Sequence, residues 1–102
     1  MLIFNTTFLV SDKVHGAWIK WVHEKHIPFM LDSGFFSLPQ VAKIIANEEQ
    51  EGTSFSVQFH VLNMDMLILW NNEYGAVFQE SFSQMFGTEA LFFTTVLELL
   101  EY

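Results

Sequence analysis

The chain has 102 residues, of which 51% are hydrophobic and 17% aromatic, so we expect one globular domain over residues 1–102 with an aromatic-rich core. Four lysines, no arginine and twelve acids give a net charge of −8. This balance argues against nucleic acid and anionic membrane surfaces as partners, because both need cationic groups on the protein. The absence of cysteine excludes disulfides and a thiol nucleophile. No stretch reaches the roughly 20 apolar residues of a membrane span and no signal peptide is recognisable, so we expect a cytoplasmic protein.

The first third of the chain predicts a strand and a helix. Residues 2–10 are rich in β-branched and aromatic side chains, as in a β-strand. Ser11 or Asp12 is suited to cap a helix, whose expected face comprises Val14, Trp18, Trp21, Val22 and Lys25. Pro28 predicts a kink or a new turn near His26 and Ile27, and Gly34 is suited to end the helical unit.

The rest of the chain predicts strand, strand, helix and strand. Residues 35–47 form the second strand, with Pro39 marking an edge or a bulge, and a polar connection follows over 48–52. Residues 53–62 alternate most clearly. Asn63 is suited to cap a helix over 64–86, with Gly87 after it; its expected face comprises Leu67, Trp70, Tyr74, Val77, Ser81 and Met85. A last strand is expected over 90–100.

This order, β-α-β-β-α-β, predicts an α+β domain of the ferredoxin-like kind, with a four-stranded antiparallel sheet and both helices on one face. Alternation in the third strand assigns Phe55, Val57, Phe59 and Val61 to the helix side. Ser54, Ser56, Gln58 and His60 then belong to the opposite, open face, together with Ile3, Asn5, Thr7 and Leu9 of the first strand. An uncovered face of mixed character favours a solvent role or a partner.

The run Trp21-Val22-His23-Glu24-Lys25-His26-Ile27-Pro28, followed by Gly34-Phe35, resembles the first-helix signature of dimeric α/β-barrel proteins. With Ser56-Val57-Gln58-Phe59 and Phe86-Gly87, the whole chain resembles one uncharacterised family among them, domain of unknown function 4286. The resemblance implies a homodimer in which two open sheet faces meet to form an eight-stranded barrel. Some relatives are cofactor-free oxygenases, haem-degrading enzymes or isomerases with a pocket between sheet and helices, but the resemblance transfers no activity residue by residue.

The helix supplies two candidate pocket residues, His26 and Trp21. His23 and His26 are three residues apart and miss the His-Glu-x-x-His spacing of a metalloprotease, so we expect no bound metal and no cofactor. We expect the His26 ring to bond backbone carbonyls at the kink, with substrate contact as the alternative. The aromatic residues Trp18, Trp21, Trp70 and Tyr74 are at helical spacing, which favours a core stripe over a box for a flat ligand.

The open face supplies three further candidates, His60, Gln58 and Asn5. A histidine there is a possible general base near neutral pH, but a hydrogen bond across a dimer interface is the favoured interpretation. Thr7 joins these residues as a polar neighbour, and neither paired carboxylates nor a Ser–His–Asp arrangement accompanies them.

Two hypotheses about function follow. The favoured one is a homodimeric module for assembly, small-ligand sensing or partner binding, with a small apolar ligand as a possible occupant. The alternative is a small cofactor-independent oxygenase or isomerase acting on an apolar or aromatic compound. Whether the protein is an enzyme is left open by the sequence.

Overall fold

The computed structural model describes residues 1–45 and 51–101. Its strands are β1 (Leu2–Val10), β2 (Phe36–Lys43), β3 (Thr53–Val61) and β4 (Ala90–Glu98). Helix A follows a short 3-10 turn (Asp12–Val14) and consists of α1 (His15–Trp21), a π-helical turn (Val22–His26) and α2 (Ile27–Asp32). Helix B consists of α3 (Met64–Trp70), a second π-helical turn (Asn71–Gly75) and α4 (Ala76–Phe86). The predicted β-α-β-β-α-β order is confirmed.

The four strands form one open antiparallel sheet in the order β2-β3-β1-β4. This is the ferredoxin-like arrangement, in which each helix connects two parallel strands with a third strand between them. The register pairs Asn5 with Gln58 and Thr7 with Ser56, so these side chains share one face. Phe55, Val57, Phe59 and Val61 are all buried, which confirms the predicted assignment of the two faces.

Strand β2 is shorter than expected, ending at Lys43 rather than at residue 47. Its pairing with β3 shifts between Ser37 and Gln40, and Leu38 there takes a positive φ of 51°. The bulge predicted from Pro39 is therefore present, because proline has no N–H to give to the neighbouring strand. The predicted 48–52 connection falls largely outside the described residues.

The predicted helix faces were wrong beyond the first two turns of each helix. In helix A, Lys25 is exposed and His26 is buried, and in helix B, Val77 and Met85 are exposed whereas Phe82 and Phe86 are buried. The core-facing positions recur every four residues: Trp18, Val22, His26 and Met30, all buried, in helix A, and the half-buried Phe78 with the buried Phe82 and Phe86 after the π turn of helix B. In a regular α-helix, side chains four positions apart point in directions that differ by about 40° around the helix axis. The wider π turn rotates the chain less per residue and so offsets this difference. The break expected near Pro28 is this π turn, with Pro28 in the first turn of α2.

The helix ends are partly as predicted. Asn63 caps helix B, since its Oδ1 accepts a hydrogen bond from the Met66 amide at 3.0 Å, and Gly34 and Gly87 both take positive φ at helix ends. The cap expected from Ser11 or Asp12 was wrong in its contact: Ser11 is the N-cap residue of the 3-10 turn but makes no side-chain capping bond, and Asp12 lies inside that turn. The Ser11 hydroxyl instead donates to the Glu89 carboxylate at 2.6 Å, a contact between residues 78 positions apart that a local reading does not predict.

The core between sheet and helices is a continuous network of aromatic rings. Phe8 lies at its centre and contacts Trp18, Trp21 and Phe82, with ring centroids 5.2 to 5.9 Å apart. Trp18 stacks on Phe55 at 4.5 Å. The predicted core role of Trp18, Trp21 and Trp70 is confirmed. Of these three, Trp21 contacts His26, together with Phe8, Phe59 and Phe78.

Candidate functional site

A cavity of about 390 Å³ lies between helix B and the β1–β4 half of the sheet. The deep end of this larger cavity is formed by buried residues, namely Phe4, Thr6, His26, Met30 and Trp70. The rim is formed by exposed residues, namely Ile68, Asn71, Gln79, Thr94 and Val96. Its volume is within the range of small-molecule sites, about 300–1,000 Å³. The fold thus provides an apolar cavity that opens at the β4 edge and reaches inward to helix A.

Both π turns contribute to this cavity. His26 is the last residue of the π turn of helix A, and Asn71 and Gly75 are the first and last residues of that of helix B. A side chain at Gly75 would meet the Asn71 amide oxygen, so the glycine keeps space open beside the cavity. π turns within helices occur frequently at functional sites.

His26 is the most unusual side chain of the cavity. It is 3% exposed, and neither Nδ1 nor Nε2 has a hydrogen-bond partner among the described residues. The expectation that the ring bonds backbone carbonyls was therefore wrong. The π turn carries the ring into the core, where it stacks on Trp21 with centroids 4.8 Å apart and meets Phe78 at 5.2 Å.

This apolar environment controls the charge of His26. Burial lowers the pKa of His26 from 6.5 to about 4, because the charged imidazolium would lose its hydration. At neutral pH the ring is uncharged, with one nitrogen as a donor and the other as an acceptor. The ring therefore adds no charge to the core.

Two indole N–H groups are also buried without a partner in the described chain, those of Trp18 and Trp70. Trp70 lines the larger cavity and Trp18 does not. Buried polar groups are usually hydrogen-bonded, and each exception is a candidate for a role beyond stability. The nitrogen atoms of Trp70 and His26 are covered by neighbouring protein atoms, so these two side chains contribute ring surface rather than exposed polar atoms to the cavity wall.

A smaller cavity of about 270 Å³ lies between the two helices. It is lined by Trp21, Lys25, Phe29, Val77 and Ser81, and it shares His26 and Phe78 with the larger cavity. These two side chains thus form the partition between the cavities. Among the described residues that line either cavity, Lys25 and His26 are the only titratable ones.

The structure places the five candidate pocket residues from the sequence analysis in two separate regions. His26 and Trp21 lie together between sheet and helices, whereas Asn5, Gln58 and His60 lie on the opposite face of the sheet and line neither cavity. On that face Asn5 donates to Thr7 Oγ1 at 3.1 Å and accepts from the Ser56 hydroxyl at 2.5 Å. Sequence analysis named neither Thr6 nor Gly75 as a cavity residue, and for Trp70 it favoured the core over a ligand box. The sequence signal for the π turn of helix B is the repeat of aromatic residues every four positions, Trp70, Tyr74, Phe78, Phe82 and Phe86; no such signal marks Thr6.

The open face is apolar on its β4 side. Leu91, Phe93 and Leu97 pair with residues of β1 that face away from the helices, and they are 55%, 63% and 42% exposed. The β3 side carries Ser54, Ser56, Gln58 and His60. Half of this face is therefore an exposed apolar surface and half is polar.

Neither a metal site nor a membrane span is found in the described part of the chain. No three side chains of the ligand-forming types come together there; His23 is exposed whereas His26 is buried. Within residues 1–45 and 51–101, no helix is both long and apolar enough to cross a membrane.

The fold and the cavity define a ferredoxin-like α+β domain with an interior small-molecule-sized site. Residues 1–100 match the family described as Domain of unknown function (DUF4286). The chain belongs to this family. Searches of curated proteins and of solved structures return no match for it.

Proposed function

We propose that this protein is a module that binds a small, largely apolar molecule in the larger cavity. The observation that carries the proposal is the cavity itself, about 390 Å³ of space lined mainly by aromatic and aliphatic side chains and bounded at its inner end by the buried, uncharged ring of His26. A ligand that places apolar surface there removes that surface from water, which contributes about 25 cal/mol for each Å² buried.

Binding is favoured over catalysis by the composition of the cavity wall. Among the described residues that line the larger cavity, His26 is the only titratable one. Acid–base chemistry on a substrate usually needs a second group that takes or returns the proton. The alternative of a cofactor-independent oxygenase or isomerase has no such group to support it here.

The test of ligand binding uses N-phenyl-1-naphthylamine, an uncharged aromatic dye whose fluorescence increases in apolar surroundings. We expect saturable binding, which the variant Gln79→Phe weakens because it places a ring at the cavity rim. Gln84→Phe, on the exposed surface of the same helix and outside the cavity lining, serves as the matched control. Absence of saturable binding, or equal weakening by both variants, would contradict the proposal.

We further propose that the protein works as a homodimer joined through the open sheet face. Support comes from the exposed apolar residues Leu91, Phe93 and Leu97, which lie beside polar side chains on an uncovered sheet. A symmetric pair of such faces covers the apolar half of each. The polar half, with Gln58 and His60, then supplies hydrogen bonds that fix the register of the two copies.

Light scattering after size-exclusion chromatography tests the dimer. We expect twice the 11.9 kDa of one chain, and a shift to the single-chain mass for Phe93→Lys, because a buried lysine without a partner is costly. Val77→Lys, which changes an equally exposed apolar residue on helix B, is expected to leave the mass unchanged. A single-chain mass for the unmodified protein would refute the dimer.

A further inference from the structure

The smaller cavity is bordered by one row of side chains from each helix. The members of a row are four residues apart in the chain: Trp21, Lys25 and Phe29 in helix A, and Val77 and Ser81 in helix B. Residues at this spacing are neighbours on the surface of a helix. The smaller cavity therefore lies between two helix rows, and its remaining lining is the partition that it shares with the larger cavity.

This cavity is apolar inside and polar at its mouth. Trp21 is buried and stacks on His26 at the inner end. Lys25 and Ser81 are exposed, so they lie at the mouth. A lysine lays its four-carbon stem along apolar surface and keeps its ammonium in water, and this flexible stem lets the ammonium reach a group bound at the mouth. The cavity thus suits a molecule with an apolar body and a polar end.

The charge at the mouth is opposite to that of the chain as a whole. The chain has twelve acids and four lysines, yet Lys25 is the one side chain charged at neutral pH among the described residues that line the smaller cavity. A negative group bound there meets a cation, and no carboxylate of the described lining competes for it. The net charge of −8 repels a second negative charge on the ligand. These features indicate a monoanion.

The inner walls indicate the body of the ligand. Trp21, Phe29 and Phe78 line the smaller cavity, and aromatic rings favour edge and offset contacts with other rings. The volume of about 270 Å³ is just below the usual lower limit of small-molecule sites, about 300 Å³. A body of one or two rings suits this space better than a larger compound.

We propose that the smaller cavity is a second binding site, which takes a small aromatic monocarboxylate with its rings against Trp21 and its carboxylate paired with Lys25. The site is independent of the proposed function of the larger cavity. The described lining of the larger cavity carries no positive charge, since His26 is neutral there. The two cavities therefore favour ligands of different charge.

A titration followed by ¹H–¹⁵N NMR at pH 7 tests the inference with 1-naphthoate and its uncharged counterpart 1-naphthalenemethanol. We expect 1-naphthoate to give saturable shifts of amide signals grouped in residues 21–29 and 77–81. Read from these amides, its affinity is expected to exceed that of 1-naphthalenemethanol by about twofold to fivefold, the strength of an exposed ion pair. No saturable shift, or equal affinity of the two compounds, overturns the inference.

Two lysine variants test the ion pair. Lys25→Met keeps a long apolar side chain but removes the ammonium, so the advantage of 1-naphthoate over 1-naphthalenemethanol is expected to disappear. Lys20→Met is the matched control, because Lys20 is exposed on the same helix and lines neither cavity. It changes the net charge by the same amount and is expected to keep the advantage. Equal losses in both variants would mean that overall charge alone attracts the ligand, which contradicts the inference.

Two helix B variants test which cavity is occupied. Ser81→Phe places a ring at the mouth of the smaller cavity and is expected to weaken 1-naphthoate but not N-phenyl-1-naphthylamine, whereas Gln79→Phe is expected to do the reverse. Weakening of 1-naphthoate by Gln79→Phe alone would assign it to the larger cavity and overturn the inference.

The outcomes keep this inference apart from the proposed function. Failure of 1-naphthoate to bind leaves dye binding in the larger cavity untouched. Failure of the dye to bind overturns the proposed function, whereas the carboxylate site still stands on the response of 1-naphthoate to Lys25→Met.

Discussion

Replacing His26 by phenylalanine is expected to stabilise the fold at neutral pH. The imidazole is 3% exposed and both of its nitrogens lack a partner among the described residues. An unpaired buried polar group costs about 1–3 kcal/mol. Phenylalanine keeps a ring stacked on Trp21 and adjoins cavities on two sides, so the extra volume has space. We expect the free energy of unfolding to rise by about 1 kcal/mol or more.

The same variant is expected to remove part of the acid sensitivity of the protein. Burial lowers the pKa of His26 from 6.5 in the unfolded chain to about 4 in the folded one. As the pH falls from 6.5 towards 4, the unfolded chain takes up a proton that the folded chain excludes, so wild-type stability decreases across that window. At 1.36 kcal/mol per pH unit, the loss approaches roughly 3 kcal/mol at pH 4. His26→Phe lacks this contribution.

The assay is urea unfolding followed by tryptophan fluorescence at pH 7, 5.5 and 4.5, at one fixed protein concentration. The acidic residues titrate in both proteins, so the difference between them isolates His26. His23→Phe is the matched control, since that side chain is on the exposed side of the same π turn and stays in water in the folded and unfolded chains. Parallel pH profiles for wild type and His26→Phe, or a variant less stable at pH 7, would refute the reasoning.

Three further predictions concern two glycines and the cap of helix B. Gly52→Ala is expected to destabilise the fold by more than about 1 kcal/mol, because Gly52 has a φ of 95° and an added Cβ would meet the Val10 carbonyl oxygen; thermal unfolding measures this. Gly16→Ala, inside α1 with open space around it, should instead gain about 0.5–1 kcal/mol, and a loss in both variants would contradict the explanation. Asn63→Ala is expected to lose about 1 kcal/mol through the missing cap of helix B, whereas Asn72→Ala within the helix should not; equal effects in urea unfolding would show that the cap contributes nothing.

Much of the fold follows from local patterns in the sequence. Strict alternation in β3 fixed which side chains face the helices, because a strand turns successive residues to opposite sides. Asn63 and Gly87 marked the ends of helix B for equally local reasons, a side-chain oxygen that meets free amides and a glycine that accepts a positive φ. The element order then left few topologies open, since crossovers are right-handed.

The candidate site was predicted less well because it depends on which side chains of each helix face the core. A regular α-helix puts Lys25, Val77 and Met85 on the core side, and the π turns rotate His26, Phe78 and Phe82 there instead. Local propensity does not indicate such a turn, because helix propensity describes single residues, whereas the π turn changes which side chains of the whole helix meet the sheet.

By itself, then, the sequence determined the α+β class, the element order, the two unlike faces of the sheet and the aromatic character of the core. Each of these depends on residues close together in the chain. Only the tertiary structure decided that the His26 ring enters the core without a hydrogen-bond partner among the described residues, and that Trp70 shares a cavity with His26. The second relation joins residues 44 positions apart, and both depend on how two helices with π turns pack over one sheet.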